Sequence, residues 1–323
     1  MPRFSAKLIL FLLPVVAIVF FLEYKLSLTP NSYKIKRKYF EEQLDSIKVM
    51  VLGSSETQSD VLPGYFSYRG FNLANVAQPL YYDKELVLSY MDRMPHLRMV
   101  IISLNYTSFY YELADTREYW REYYYYRFWG ISNSELPFID IKKVSLIALY
   151  SWPEVRKIIN NGFGNDYTRG DKKIGYNGGL DIANLPSGGP IKDTGSLAKD
   201  ARFTIAFIGK SLKEKRFDSN YAYINTLVDS LSRKKIKVVL ISAPVSKEMY
   251  GYMNDSTYIN SGINIKTQKA ISTICQKYGC RYYNFTNDDR FNSADFSNSS
   301  HLNSLGAIKF SKILNDEVVV PGY

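Results

Sequence analysis

The pattern of hydrophobic and polar positions predicts a chain of alternating strands and helices. Short apolar runs bounded by polar residues are typical of strands that a sheet buries, and the chain has them at 47–52, 71–74, 98–104, 236–243 and 281–285. Apolar positions at roughly helical spacing predict helices at 84–94, 220–233, 264–278 and 303–316. Strands that alternate with helices, without an internal repeat, predict a three-layer α/β/α sandwich around a mostly parallel central sheet.

An unbroken apolar run occupies 8–22, behind the basic residues Arg3 and Lys7. The run is short for a full membrane span, and its length falls between a signal-peptide core and a membrane helix. Because no Ala-x-Ala cleavage site follows, the sequence favours an uncleaved signal-anchor with its basic end inside. A cleaved signal peptide is the alternative interpretation. We therefore predict a single-pass protein of a bacterial-type inner membrane, with its C-terminal domain on the extracytoplasmic (periplasmic) side.

The same pattern divides the chain into a signal-anchor at 1–26, a linker at 27–46 and an α/β domain at 47–323. An insertion of different character interrupts the domain at about 106–200, where an aromatic segment precedes a stretch rich in Gly, Asn and Asp. One interpretation is a helix packed on the domain and followed by an ordered surface loop. The other is a substrate cover, since aromatic faces suit sugar rings and long loops often carry sites.

The net charge of +10 is spread over short clusters of lysine and arginine. No recognisable nucleic-acid module accompanies these clusters, so we expect no nucleic-acid partner. Anionic lipid and acidic polysaccharide are both compatible with such a surface.

The two cysteines, Cys275 and Cys280, span a predicted helix end and the next strand. A local disulfide outside the cytoplasm and a pair of packed thiols both remain open. Two cysteines and two separated histidines do not make a typical zinc site, although a carboxylate-only metal site is not excluded. We expect no metal and no cofactor.

Two stretches carry candidate chemistry. Ser55 follows the first predicted core strand in Gly53-Ser54-Ser55, at the carboxyl end of the strand, where open parallel sheets build their sites. His301 precedes the closing helix and is a candidate general base that would activate a serine hydroxyl. The other histidine, His96, lies at the entering end of a strand, and we interpret it as structural.

Three segments of the chain together resemble the SGNH/GDSL hydrolase superfamily. They are Gly53-Ser54-Ser55 after a strand, Phe71-Asn-Leu-Ala, and the closing Phe296-x-Asn298-x-x-His301-Leu-Asn-x-x-Gly306-Ala. The resemblance covers roughly 47–316 and is greatest to a membrane-anchored branch linked to acyl transfer onto cell-surface polymers. That branch includes the D-alanyl transfer protein of teichoic acid operons and relatives of alginate O-acetyltransferases. The resemblance implies an SGNH/flavodoxin-like sheet.

The resemblance also implies roles for single residues. Ser55 would be the nucleophile and His301 the base. The oxyanion hole would use the Ser55 backbone N–H, a backbone N–H of the loop 75–78 and a side-chain amide after the third strand. Ala77 is the candidate in the loop and Asn105 the candidate amide. The family's glycine is not evident in that loop, and Tyr106 follows Asn105 where the family has Asp.

The largest departure from the family is Asn298, which stands where the family has an aspartate three residues before the histidine. An amide can accept the imidazole N–H but cannot stabilise an imidazolium by charge. Three explanations stay open: a Ser-His pair held by Asn298, substitution of the missing carboxylate by Asp295, or loss of catalysis.

The sequence thus predicts a serine esterase or O-acyltransferase that is exported and membrane-anchored. It would act on a cell-surface polysaccharide through a Ser55 acyl-enzyme. The alternative is a catalytically impaired domain that binds glycan or docks onto a multi-span membrane acyltransferase.

Overall fold

The chain folds around a five-stranded sheet flanked by helices. A computed structural model of the protein describes residues 2–160, 173–187, 194–255 and 260–323. The strands are β1 (Val49–Leu52), β2 (Gly70–Asn72), β3 (Met99–Ser103), β4 (Lys237–Ser242) and β5 (Arg281–Asn284). The helices are α1 (Pro2–Leu28), α2 (Ser32–Glu41), α3 (Ser55–Asp60), α4 (Leu80–Tyr90), α5 (Trp120–Tyr124), α6 (Leu146–Leu149), α7 (Trp152–Asn160), α8 (Thr194–Gly209), α9 (Phe217–Arg233), α10 (Lys247–Asn254), α11 (Asn260–Tyr278), α12 (Ser304–Leu314) and α13 (Val320–Gly322).

The five strands run parallel in the order β2-β1-β3-β4-β5. Val51 of β1 lies opposite Asn72 of β2 on one side and Ile101 of β3 on the other. The predicted α/β fold with a parallel central sheet is confirmed. This order is the flavodoxin-like one, and the direction in which successive strands are added to the sheet reverses between β1 and β3. Open sheets of this kind bind ligands outside the carboxyl ends of the strands at that reversal.

The central strands are buried, as their apolar runs predict. Every residue of β1 is buried, and so are Val100, Ile101 and Ile102 of β3. At the edge of the sheet, β5 is partly exposed. Burial on both faces explains why β1 and β3 carry continuous branched residues instead of alternating polar ones.

The chain divides into two compact units, one of 1–35 and 120–173 and the other of 36–119 and 174–323. The second unit contains the sheet. The core of the first unit is aromatic, and the ring of Tyr33 meets the rings of Tyr124 and Tyr125 edge-on at centroid distances of 5.2 and 5.0 Å. Tyr124 and Tyr125, which belong to the predicted insertion, are buried in that core. Residues 161–172 and 188–193 of the insertion lie outside the described residues.

α1 is long and apolar enough to cross a membrane. Within Lys7–Leu28, an 18-residue window has a mean hydropathy of 2.2, and no residue of that window is buried inside the protein. The apolar N-terminal helix predicted from the sequence is therefore present.

The closing helix α12 begins at a side-chain cap. The Oδ1 atom of Asn303 accepts hydrogen bonds from the backbone N–H groups of Leu305 and Gly306, each at 3.0 Å. Asn303 is the N-cap that the sequence predicts. Gly306 lets the first turn of α12 approach the chain ahead of it, because a Cβ at this position would overlap the backbone carbonyl of Asp295.

Replacing Gly306 by alanine is expected to destabilise the domain. The added methyl group would meet a backbone carbonyl that has little freedom to move, and such overpacking costs about 1–3 kcal/mol. Urea unfolding followed by circular dichroism measures the change. Gly251 is a matched control, since a Cβ there meets nothing within 4 Å. Equal loss of stability in both variants would contradict the close approach.

Candidate active site

Ser55 lies where β1 gives way to α3. Gly53 has a φ of +142°, and a side chain there would overlap Thr57, so the turn after β1 depends on glycine. Ser54 is extended and occupies the N-cap position of α3 without a side-chain capping hydrogen bond, and Ser55 is the first residue of the helix. The half-buried Ser55 side chain therefore stands at the carboxyl end of β1, beside the reversal of the sheet.

His301 lies at the end of a tight loop ahead of α12. An isolated antiparallel bridge pairs Phe296 with Leu302 and closes this loop. Inside it, the backbone N–H of Ser297 donates to the carbonyl of His301 at 2.9 Å. The bridge and this hydrogen bond hold His301 in position just before α12.

The structure brings Ser55, His301 and Asn298 together. The Nε2 atom of His301 lies 3.0 Å from the Oγ atom of Ser55, and its Nδ1 atom lies 3.1 Å from the Oδ1 atom of Asn298. This is the chain of contacts that a serine nucleophile, a base and an orienting group require.

The hydrogen bonds of Asn298 favour the tautomer of the imidazole that is protonated at Nδ1. Its Oδ1 atom accepts from the backbone N–H groups of Ser300 at 3.0 Å and His301 at 2.9 Å. An atom that accepts from two backbone donors is an oxygen, so the same oxygen faces Nδ1. Nδ1 then carries the proton, which leaves Nε2 unprotonated and able to accept the proton of Ser55.

Asp295, the other predicted orienting carboxylate, has different partners. Its Oδ2 atom accepts from the backbone N–H of Asn292 at 3.0 Å and from the Nζ atom of Lys309 at 2.7 Å. The carboxylate thus completes a capping box and an ion pair. The groups beside the imidazole Nδ1 are the amide of Asn298 and the hydroxyl of Ser300, each at 3.1 Å.

Two carboxylates that the sequence did not single out support the histidine loop. The Oδ2 atom of Asp200, on α8, accepts from the backbone N–H of Ser299 at 2.9 Å and from its hydroxyl at 2.6 Å. The Oδ1 atom of Asp60, the last residue of α3, accepts from the backbone N–H of Leu302 at 3.1 Å. Asp60 therefore connects the helix that starts at Ser55 to the residue that follows His301.

Burial affects the charge of Asp60. Its side chain is fully buried, which raises the pKa of the carboxyl well above its usual value, while the hydroxyl of Ser59 and the N–H of Leu302 oppose the shift. A neutral carboxyl can accept the same two hydrogen bonds without placing an unpaired charge in the core.

The candidate oxyanion amide, Asn105, lies two residues after the end of β3, the strand that pairs with β1. Its Nδ2 atom donates to the Oε1 atom of Glu56 at 3.2 Å. The Oε2 atom of Glu56 accepts from the hydroxyl of Ser54 and lies 3.4 Å from the Oγ atom of Ser55. In this structure the carboxylate of Glu56 therefore lies between the nucleophile and the amide. Nothing in the sequence pattern distinguished Glu56.

Tyr106, which stands where the family has aspartate, is buried in an apolar cluster with Ala201, Ile205, Met249 and Met253. Burial raises the pKa of its hydroxyl, and the charge of Glu56 adds to the shift. Tyr106 therefore contributes a neutral, largely apolar side chain behind Asn105.

The candidate backbone donor Ala77 lies in a strained turn. It has a φ of +56°, a left-handed conformation that glycine adopts more easily than alanine. The loop is held on both sides: Lys36 donates to the carbonyl of Ala74, and Gln78 donates to the Oδ1 atom of Asp83 at 2.6 Å. Burial lowers the pKa of Lys36 to about 7.

Asp83 connects this loop to the nucleophile turn, because its Oδ1 atom also accepts from the backbone N–H of Gly53 at 3.2 Å. Burial raises the pKa of its carboxyl to about 7, against the opposing effect of the two hydrogen bonds from Gln78 and Gly53. The folded chain therefore holds a proton on Asp83 that the unfolded chain gives up near pH 4.

Asp83→Asn is expected to change how stability depends on pH. Since the carboxyl has a raised pKa in the folded state, its contribution is fully present at low pH and is lost as pH rises towards about 7. Relative to the variant, the wild type should lose roughly 2–3 kcal/mol of unfolding free energy between pH 5 and pH 8. Urea titrations across this range measure it. Parallel curves for the two proteins would contradict the assignment.

The two cysteines and His96 make no contact with Ser55, His301 or Asn298 among the hydrogen bonds described above. The Sγ atoms of Cys275 and Cys280 are 2.9 Å apart as free thiols. His96 is exposed in the turn that enters β3. Across 2–160, 173–187, 194–255 and 260–323, no group of three or more His, Cys, Asp or Glu side chains converges on a common point.

Comparison with known proteins gives structural likeness only. No protein-family model matches the chain, and no curated protein matches it. Among solved structures, the chain is similar to an acetyl xylan esterase, AlAXEase, at 12% identity and a TM-score of 0.39, over 84% of this chain and 100% of the other.

Two further structures are similar at the same level. One is a protein from Streptococcus pneumonia, provisionally described as a platelet activating factor, at 11% identity and a TM-score of 0.40, over 94% of this chain and 98% of the other. The other is a provisionally described acylhydrolase from Bacteroides fragilis, at 10% identity and a TM-score of 0.42, over 89% and 97%. The function considered next therefore rests on the contacts of Ser55, His301 and Asn298.

Proposed function

We propose that the protein is a serine esterase or O-acyltransferase that forms an acyl-enzyme on Ser55. The observation that carries the proposal is the pair of contacts made by His301, with Nε2 at 3.0 Å from Ser55 Oγ and Nδ1 at 3.1 Å from Asn298 Oδ1. A serine hydroxyl is too weak to attack an ester alone, and an imidazole in this tautomer supplies the base that it needs.

In the first half of the reaction, the Oγ atom of Ser55 attacks the acyl carbonyl while its proton passes to Nε2 of His301. Negative charge develops on the carbonyl oxygen, and the backbone N–H of Ser55 and the amide of Asn105 are the candidate donors to it. The Glu56 carboxylate must then release the Asn105 amide. His301 returns the proton to the leaving alcohol, and the acyl group stays on Ser55.

In the second half, His301 takes a proton from the acceptor, and the acceptor oxygen attacks the acyl-enzyme. The bond between the acyl carbon and Oγ of Ser55 then breaks, and Nε2 of His301 returns the proton to Oγ. Water as acceptor gives hydrolysis, and a sugar hydroxyl gives transfer. We propose a cell-surface polysaccharide as the acceptor or substrate, with α1 as an anchor that keeps the domain on the extracytoplasmic side of a bacterial inner membrane. The length and hydropathy of α1 support the anchor, and the family resemblance supports the polymer.

Incubation with an activated aryl acetate is expected to release the phenol in a burst and leave one acetyl group on the peptide that contains Ser55. Mass spectrometry after acid quench locates the group. Ser54 is a matched control because it is the adjacent hydroxyl, and its side chain donates to Glu56 instead of meeting His301. The acetyl group should persist in Ser54→Ala and disappear in Ser55→Ala. Acetylation that survives Ser55→Ala would contradict the proposal.

Specific observations favour a second candidate: a domain of impaired catalysis that binds glycan or docks onto a multi-span membrane acyltransferase. The imidazole is oriented by a neutral amide, and the Asn105 amide is engaged by Glu56. This candidate predicts no phenol burst in the wild type, together with glycan binding that Ser55→Ala leaves unchanged. Equilibrium binding to cell-wall polysaccharide, measured beside the burst, separates the two candidates.

A further inference from the structure

Five strongly exposed apolar side chains lie close together in the sequence of the first unit. Phe138 is 94% exposed, Ile139 87%, Val144 75%, Trp152 68% and Ile141 66%. Together these five residues form the apolar face. Single exposed apolar residues are ordinary, but several that are close together in sequence and nearly fully exposed mark a surface for a partner or a membrane.

Hydrogen bonds hold the segment that carries the apolar face in place. The hydroxyl of Tyr123 donates to the Oδ2 atom of Asp140 at 2.5 Å, and the Nη1 atom of Arg127 donates to the carbonyl of Lys143 at 3.1 Å. Asp140 also accepts from the backbone N–H of Lys142 at 2.9 Å. The backbone is thus fixed from within the unit while the apolar side chains between these anchor points face outwards.

The apolar face continues from the end of α1. Glu23 accepts from the hydroxyl of Ser145 and from the backbone N–H groups of Leu146 at 2.8 Å and Ile147 at 3.1 Å. These residues follow Val144 directly in the chain. The contacts tie α6, and with it the neighbouring apolar face, to the residue that comes right after the apolar run of α1.

The length of that apolar run places Glu23 close to a bilayer surface. Fifteen helical residues at 8–22 cover about 22 Å, whereas the hydrocarbon core of a bilayer is about 30 Å thick. Because the run is shorter than the hydrocarbon core, Glu23 lies at the boundary between the hydrocarbon and the interfacial layer when α1 crosses the membrane. The residues that Glu23 binds at the start of α6 then lie at the same depth in the bilayer.

The charges around the apolar face suit an anionic surface. Lys142, Lys143, Arg156 and Lys157 outnumber Asp140 and Glu154 in the same stretch. Both carboxylates accept hydrogen bonds from nearby backbone N–H groups. A shallow groove of about 350 Å³ is lined by Trp152, Pro153, Arg156, Lys157 and Asn160. A tryptophan beside two cations is the combination found where proteins meet lipid headgroups.

We propose that the apolar face lies in the interfacial layer of an anionic bilayer next to α1, with a lipid phosphate at the groove of Trp152, Arg156 and Lys157. The proposal rests on α1 as a membrane anchor and is independent of catalysis. The protein would then contact the membrane twice, through the helix α1 and through a surface of the first unit whose lysines and arginines are attracted to anionic lipid.

Lipids with brominated acyl chains test this contact, since bromine quenches tryptophan emission at short range. The full chain is reconstituted in vesicles of phosphatidylcholine with and without phosphatidylglycerol, and flotation first confirms insertion. We expect wild-type emission to be quenched more strongly than that of Trp152→Phe. In the Trp152→Phe background, Phe138→Trp should restore the quenching. Arg156→Gln with Lys157→Gln should remove the increase that phosphatidylglycerol produces.

Equal quenching of the wild type and Trp152→Phe in vesicles that float with the protein would overturn the proposal and leave the anchor intact. The apolar face would then be assigned to another protein or to a second copy of the chain. Failure to float would overturn both the anchor and the surface contact. Quenching that depends on Trp152 but not on phosphatidylglycerol would overturn the anionic headgroup site.

Discussion

Replacing Asn298 by aspartate is expected to increase the rate of Ser55 acylation, by between about 10-fold and 10⁴-fold. The upper figure is the loss seen when the orienting aspartate of a serine-protease triad becomes asparagine. Here the replacement runs in the opposite direction. The new carboxylate can keep the hydrogen bonds from Ser300 N–H and His301 N–H, while its charge stabilises the imidazolium that forms as Ser55 attacks.

Burst kinetics with an aryl acetate measure this change. Asn298→Ala is the matched control because it removes the amide whose oxygen faces Nδ1 of His301. That variant should acylate more slowly than the wild type. Asp295→Asn is a second control: its carboxylate pairs with Lys309, so we expect a loss of stability with little effect on the acylation rate per folded molecule. An unchanged rate in a folded Asn298→Asp protein would contradict the role of Asn298 as the partner of His301.

Replacing His301 by alanine is expected to lower the acylation rate by roughly 10²- to 10⁴-fold, the usual contribution of a positioned general base. Nε2 of His301 is the group placed at hydrogen-bonding distance from the Ser55 hydroxyl. The variant should also lose the part of the pH dependence that reflects imidazole titration.

The second histidine provides the control for this loss. His96 is exposed in the turn before β3, and His96→Ala should leave both the rate and its pH profile unchanged. A His301→Ala protein that keeps the wild-type rate would show that another group takes the serine proton.

The central strands β1 and β3 were predictable from the sequence because the sheet buries nearly all of their residues. The runs at 47–52 and 98–104 contain β1 and β3, and continuous branched residues have few other stable environments. Helix limits were less predictable. The helix expected at 84–94 is α4, Leu80–Tyr90, because helical geometry starts directly after Pro79 and the last turn tightens at Met91–Arg93. Aromatic residues at the start of α4 hide the helical spacing.

The pairing of Ser55 with His301 followed from topology, since both precede helices at the carboxyl side of a parallel sheet. The supporting carboxylates could not be found in this way. Asp83 looks like a surface residue in the first turn of a helix, and Asp60 like the polar end of one. Their roles depend on the backbone N–H groups of Gly53 and Leu302, which no local pattern brings near them.

The position of Glu56 shows a further limit of sequence reasoning. A charged residue in the first turn of a helix is ordinary, because acidic side chains favour helix N-termini. Only the fold places its carboxylate beside both the hydroxyl of Ser55 and the amide of Asn105. The assignment of Asn105 to the oxyanion hole stays a prediction for this reason.

Fluorophosphonate labelling of the full chain tests the central claim most directly, since these reagents phosphonylate only serines that a base activates. The wild type is compared with Ser55→Ala and His301→Ala under conditions in which circular dichroism shows that all three are folded. The account predicts a label on Ser55 of the wild type, none on Ser55→Ala, and strongly slowed labelling of His301→Ala. A folded wild type that takes no label, or a label that persists without Ser55, would contradict it.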